Sequence, residues 1–122
     1  MKNKRILLVD DDESNRLLVT LNLKKFNMEI IEAVDGIDAL NKLKENKNFD
    51  LILMDIRMPN MDGVEVSNII INEMKLNIPI IIMSASTDIY NMSRMYDVGI
   101  TSYILKPITK NKFLNIIINN LK

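Results

Sequence analysis

Residues 51–63 read LILMDIRMPNMDG. Leu51, Ile52, Leu53 and Met54 are apolar at every position, so the segment has no polar face to give to water. A strand of that kind is buried on both sides, as in parallel sheets covered by helices. Asp55 ends the run, Pro59 breaks the chain, and Asp62-Gly63 supplies the residues of a tight turn. Runs of the same character lie at 6–9 and 80–83. The more mixed segments 29–33 and 102–105 suit the edges of the same sheet. Helical spacing fills the gaps, at 14–26, 37–46, 64–75, 87–98 and 110–121. In the first, Leu18, Val19, Leu23 and Phe26 share a wide face interrupted by Asn22. In the last, Phe113, Leu114, Ile117, Ile118 and Leu121 keep step. The 87–98 stretch is the sparsest, with Ile89, Met92, Met95 and Tyr96 as its main apolar residues and Gly99 placed to cap it. Five strands alternating with five helices predict a doubly wound parallel α/β sheet, and residues 1–122 are expected to form a single domain.

Composition narrows the chemistry. The 122 residues include 16 Lys+Arg and 16 Asp+Glu, a net charge of zero, so a non-specific grip on nucleic acid is not expected. There is no His and no Cys, which removes histidine bases, thiol nucleophiles, disulfides and zinc–thiolate sites. Glycines occur only at 36, 63 and 99, too few for a P-loop or GxGxxG. The apolar runs are too short for a signal sequence or membrane span, and the expected location is the cytoplasm.

In doubly wound folds ligands collect outside the carboxyl ends of the strands. There the sequence places Asp10-Asp11-Asp12-Glu13 after the first strand, Asp55 after the third, Ser84 after the fourth and Lys106-Pro107 after the fifth. Asp12 and Glu13 suffice to cap the following helix, which leaves Asp10 and Asp11 nearer the buried strand. Carboxylates about 5 Å apart repel by about 3 kcal/mol per pair at an effective dielectric of 20, so such a cluster calls for a cation. An all-oxygen donor set favours Mg²⁺, with Mn²⁺ as its substitute. A carboxylate such as Asp55 beside that cation is a competent nucleophile toward phosphorus. Lys106, fixed by Pro107, offers a point charge for phosphate or carboxylate oxygen, and Pro107 favours a cis bond that aims the lysine inward.

Four motifs, LLVDDD at 7–12, LILMDIRMPNMDG at 51–63, PIIIMSAS at 79–86 and YILKP at 103–107, together resemble the response-regulator receiver domain of two-component signalling. The resemblance covers essentially the whole chain. It implies a flavodoxin-like sheet in the order 2-1-3-4-5. It implies that Asp55 accepts a phosphoryl group from a histidine of a partner kinase or phosphotransfer protein. Asp10, Asp11, Asp55 and the Arg57 backbone carbonyl would hold Mg²⁺. Ser84 would hydrogen-bond the phosphoryl group, Lys106 would neutralise it, and Tyr103 would turn inward as Ser84 moves. The face of the fourth helix, fifth strand and fifth helix would change in consequence. Arg57 and Ser86 would border the phosphoryl group. Such a protein is a switch and not a turnover enzyme; at most it phosphorylates itself from small donors and slowly dephosphorylates itself. Its partners would be the phosphodonor and an output protein or domain outside this chain, with no direct nucleic acid or membrane contact. The resemblance also allows a phosphorylation-dependent homodimer.

Two rival readings fit less well. A haloacid-dehalogenase-type phosphatase would use the DxD formally present in Asp10-Asp11-Asp12, but the cap domain and downstream loop of that class are missing. A flavodoxin-like FMN binder would need a hydroxyl- and glycine-rich loop where this chain has acids that repel phosphate.

Overall fold

The computed structural model describes residues 4–85, 88–100 and 102–120. Strands β1 (Arg5–Val9), β2 (Glu29–Ala33), β3 (Leu51–Asp55), β4 (Ile80–Ser84) and β5 (Ser102–Leu105) form a parallel sheet in the order β2-β1-β3-β4-β5. Helices α1 (Glu13–Leu23), α2 (Gly36–Glu45), α3 (Gly63–Asn68), α4 (Ile89–Val98) and α5 (Lys110–Asn120) connect and follow them. The α/β class and the strand order expected from the sequence are therefore those of the molecule. The mixed strands β2 and β5 do occupy the edges.

Alternation along the strands explains why both faces are apolar. Leu7, Val9, Ile52, Met54 and Ile82 point into one cluster, closed by Ala39 and Leu43 of α2, Val64 and Val66 of α3, and Met95 of α4. Ile6, Leu8, Leu51, Leu53, Ile81 and Met83 point into the other, closed by Val19 and Leu23 of α1 and by Phe113 and Ile117 of α5. Burying each such side chain contributes about 1.5–3 kcal/mol.

Acidic caps start the helices. Asp12 accepts from Ser14 N at 2.9 Å, Asp35 from Asp38 N at 2.8 Å, and Asp88 from Asn91 N at 2.8 Å. Asp62 and Glu65 form a reciprocal capping box on α3. Asp62 is thus a helix cap rather than half of a tight turn. Gly99 closes α4 with φ 107°, in the left-handed region that glycine adopts without a Cβ clash.

Three expectations are corrected by the packing. The helix expected at 64–75 changes pitch after Asn68: residues Ile69–Glu73 are π-helical, with Met74 N donating to Ile69 O at 2.8 Å. Ile70 is fully buried within this wider turn. In α1, Leu18 joins Leu17 and Leu21 on the exposed side, and Asn22 donates to Ile108 O at 3.4 Å, tying α1 to the segment before α5. In α4, Ile89 and Tyr96 are exposed at 85% and 74%, so Met95 alone is fully inserted. Ser86, Thr87 and Leu121 lie outside the described residues.

Candidate functional site

The sheet order reverses between β1 and β3: β2 lies on one side of β1, and β3, β4 and β5 follow on the other. That switch point opens a crevice at the carboxyl ends of the strands. Parallel registers bring the strand ends level, pairing Val9 with Met54, Asp55 with Met83 and Ser84 with Leu105. Asp10, Asp55, Ser84 and Lys106 thereby reach the same edge of the sheet. Lys106 N donates to Ser84 O at 2.8 Å, which ties the exit of β5 to the exit of β4.

The buried polar side chains of the described residues concentrate here. Asp10, Asp55 and Ser84 are 0%, 4% and 5% exposed; Ser67, inside α3, is the other buried polar residue. The Lys106 ammonium donates to Asp55 Oδ1 at 2.9 Å and lies 3.8 Å from Asp10 Oδ2. One carboxylate oxygen from each of Asp10, Asp11 and Asp55 falls within 4.8 Å of the others. Asp11 is exposed and forms the solvent side of this cluster. The Lys106–Pro107 peptide bond is cis.

Asp10 is held by nearly every polar atom it has. Its N–H donates to Ala33 O at 3.1 Å, and its Oδ1 accepts from Asp12 N at 2.9 Å. Its carbonyl accepts from Arg16 Nη1 at 2.7 Å. Oδ2 alone has no hydrogen-bond partner, although it is buried. Burial pushes the Asp10 carboxyl from its ordinary 3.8 up to about 6. The Asp12 N–H and Lys106 oppose that rise, and the Asp55 charge adds to it. A buried carboxylate oxygen with no hydrogen bond and only a 3.8 Å ion pair to Lys106 is costly by itself. Three convergent carboxylates with one such oxygen fit a small divalent cation that prefers oxygen donors, which is the chemistry of Mg²⁺.

Among the remaining residues singled out by the sequence, Arg57 is exposed on the loop after β3. Tyr103 is half-buried on β5 and packs at the border of the α2–α3–α4 cluster. A cavity of about 320 Å³ opens beside the acidic cluster, lined by Asp10, Asn15, Leu18, Val19, Lys106, Pro107 and Ile108. Two residues around the site escape a reading of spacing. A Cβ on Gly63 would stand 2.1 Å from the Asp55 carbonyl oxygen, so glycine is required for α3 to start against the end of β3. Gly63 N also donates to Ile56 O at 2.8 Å. Arg16 reaches back from α1 to Asp10, and no motif marks it. The sequence marked Gly63 only as half of a turn with Asp62, and the scarcity of glycine in this chain is the further signal that pointed toward it.

Comparison with known proteins agrees with this arrangement. The response regulator receiver domain family matches residues 6–118. The chain is 36% identical over 116 residues to transcription factor prr1 of Schizosaccharomyces pombe, covering 95% of this chain and 21% of that protein. It is 36% identical over 115 residues to the CAI-1 autoinducer sensor kinase/phosphatase CqsS of Vibrio cholerae, covering 92% of this chain and 16% of that protein. The chain thus spans about a fifth or less of the length of these curated relatives. Its fold is similar to that of chemotaxis protein CheY4 of Vibrio cholerae, with a TM-score of 0.90 and 28% identity over 98% of this chain and 99% of the other. With the family match over nearly its full length, a parallel sheet in the receiver order and an acidic cluster at the carboxyl edge, the chain belongs to the response regulator receiver domain family of two-component signalling.

Proposed function

We propose that Asp55 is the phosphoacceptor of a magnesium-dependent switch, with residues 1–122 acting as one receiver. The observation that carries this reading is the buried Asp55 carboxylate, gripped by Lys106 at 2.9 Å and flanked by Asp10 and Asp11. A phosphohistidine on a kinase or phosphotransfer protein is the donor. An oxygen of the Asp55 carboxylate attacks phosphorus, a new O–P bond forms, and the N–P bond of the donor breaks. The electron pair of that bond stays on the ring nitrogen, and with a proton carried on its other nitrogen the imidazole leaves as the partner's neutral histidine.

Phosphoryl transfer of this kind needs positioning and charge stabilisation more than covalent machinery. Lys106 supplies a positive charge 2.9 Å from the Asp55 carboxylate. Asp10, Asp11, Asp55 and the Arg57 backbone carbonyl would hold Mg²⁺, which when bound supplies further positive charge to the phosphoryl oxygens. Ser84 donates its hydroxyl proton to a phosphoryl oxygen. Movement of Ser84 toward the new group makes room for Tyr103, and the α4–β5–α5 face changes for an output protein or domain. α4 suits such a change, since Met95 is its only fully buried anchor. Among the described residues no helix is long and apolar enough to cross a membrane; a cytoplasmic location belongs to the same proposal through the family it resembles, not through that absence. It turns over no outside substrate, and a homodimer formed on phosphorylation is part of the same reading.

Intact-mass measurement after incubation with acetyl phosphate and MgCl₂ tests the proposal. The wild-type chain should gain one phosphoryl group, and Asp55→Asn should gain none. An adduct that persists in Asp55→Asn, or that forms equally well in excess EDTA, would overturn it.

A further inference from the structure

We propose that Arg16 is a positioning residue for the cation pocket, fixing the backbone of Asp10 so that Oδ2 alone is presented to the ion. This rests on the reading of Asp10 as a ligand given above. Arg16 lies on α1 with its side chain only 12% exposed. Its Nη1 donates to the Asp10 carbonyl at 2.7 Å, while its Nε donates to Glu32 Oε1 on the edge strand β2 at 3.0 Å. Glu32 therefore orients the guanidinium, and the guanidinium orients Asp10. The other two tethers of Asp10, to Ala33 O and from Asp12 N, are backbone groups that any sequence could supply. Among the described residues Arg16 is the one side chain that hydrogen-bonds Asp10, the 3.8 Å Lys106 contact being an ion pair, so it is the part of the hydrogen-bonded support that this sequence chose.

The geometry asks for arginine specifically. Its planar fork reaches two acceptors in different directions, the carbonyl and the carboxylate, whereas a lysine ammonium on a flexible stem holds no such fork. Groups that orient metal ligands from behind govern affinity nearly as strongly as the ligands themselves.

Charge and positioning predict opposite signs, which makes the inference testable. A cation beside a cluster of acids repels Mg²⁺, so simple electrostatics expects Arg16→Gln to bind Mg²⁺ more tightly. Positioning expects it to bind more weakly, because Asp10 is released. The partner Glu32 already offsets much of the Arg16 charge, so the positioning effect dominates.

The experiment is a MgCl₂ titration of the full chain at constant ionic strength, followed by the rise in Tm, for wild type, Arg16→Gln, Arg16→Lys and Glu32→Gln. Affinity is read from the dependence of the rise on free Mg²⁺, separately from the Tm of the cation-free protein. The expected result is a Kd about tenfold higher in Arg16→Gln, a similar rise in Arg16→Lys despite its retained charge, and a smaller rise in Glu32→Gln. Lower cation-free Tm with unchanged or tighter Mg²⁺ affinity would overturn the inference and leave Arg16 as a staple between α1 and β2. Should Arg16→Gln fail to fold, Glu32→Gln decides: a raised Kd supports the inference and an unchanged one ends it. A wild-type chain with no saturable response to Mg²⁺ would overturn the cation reading itself, and this inference with it.

Discussion

The two ends of the sheet treat charge in opposite ways. At the amino end, Arg5 satisfies everything around it. Its N–H donates to Asp50 Oδ2 at 2.9 Å, its Nη1 donates to Asn48 O at 2.9 Å, and its Nε pairs with Glu29 at 3.2 Å. The same guanidinium sits 4.7 Å from the centre of the Phe49 ring. At the carboxyl end, two buried carboxylates share one ammonium, and Asp10 Oδ2 has no hydrogen-bond partner. One end is built for stability. The other gathers buried charge with fewer hydrogen bonds to satisfy it, which is the property the proposed ion and phosphoryl site would use.

The largest effect should come from the ammonium itself. Lys106→Met keeps the length of the stem and removes the charge. Removing a donor aimed at developing charge costs about 100-fold or more in rate. Phosphorylation of Lys106→Met by acetyl phosphate, followed by intact mass over time, should slow by that order. A rate equal to wild type would mean that the 2.9 Å contact is structural only.

Next comes Asp10, the acid whose Oδ2 has no hydrogen bond. The folded-state pKa of Asp10 lies above its unfolded value, so protonation favours the folded chain. Its contribution is fully present below about 3.8 and is lost as pH rises through about 6. Without divalent cations, urea unfolding should show up to about 3 kcal/mol lost from this group between pH 4 and 7. Asp10→Asn should flatten that slope, raise stability at pH 7, and abolish the Tm response to Mg²⁺. A mutant less stable than wild type at pH 7 would show that the pocket is not under electrostatic strain.

The amino end supplies the control. Arg5→Ala removes a cation–π contact, a side-chain hydrogen bond and a half-exposed ion pair, together about 1–2 kcal/mol. Its Mg²⁺ affinity should match wild type. A shifted affinity would show that the two ends communicate through the sheet.

The contrast also explains what a reading of residues could and could not find. The all-apolar strands 6–9, 51–54 and 80–83 announce a doubly covered sheet because every side chain in them must be buried, and the acids and lysine at their ends then fall together. Helix faces are less legible. Leu18, Ile89 and Tyr96 keep helical spacing yet stay exposed, because α1 and α4 each press only one or two residues into the core. Periodicity names a face, but the width of the groove beneath it decides how many residues enter. Arg16, and the packing role of Gly63, which the sequence marked only as a turn residue, were missed for a different reason. Each acts on backbone atoms of Asp55 or Asp10, and contacts to backbone leave no pattern of residue types to read.

The smallest prediction tests whether the pH behaviour of Asp10 belongs to burial and not to aspartate as such. Asp38 lies near the start of α2, accepts from Val34 N at 2.9 Å, and pairs with Lys42 at 2.8 Å across one helical turn. Lys42, helped by that N–H, lowers its pKa, while partial burial opposes them. The sign is therefore the reverse of that at Asp10: its stabilisation is present above about 3.8 and fades as pH falls through the lowered value. Both side chains are about one-third exposed, so water screens the pair, and Lys42→Met should cost only about 0.3–0.5 kcal/mol at pH 7. The loss should shrink as pH falls below 3.8 and shrink in high salt, whereas the Asp10 effect, being due to burial, should persist in salt. Equal salt sensitivity of the two would place the Asp10 carboxylate in contact with solvent and remove the reason for calling its end of the sheet strained.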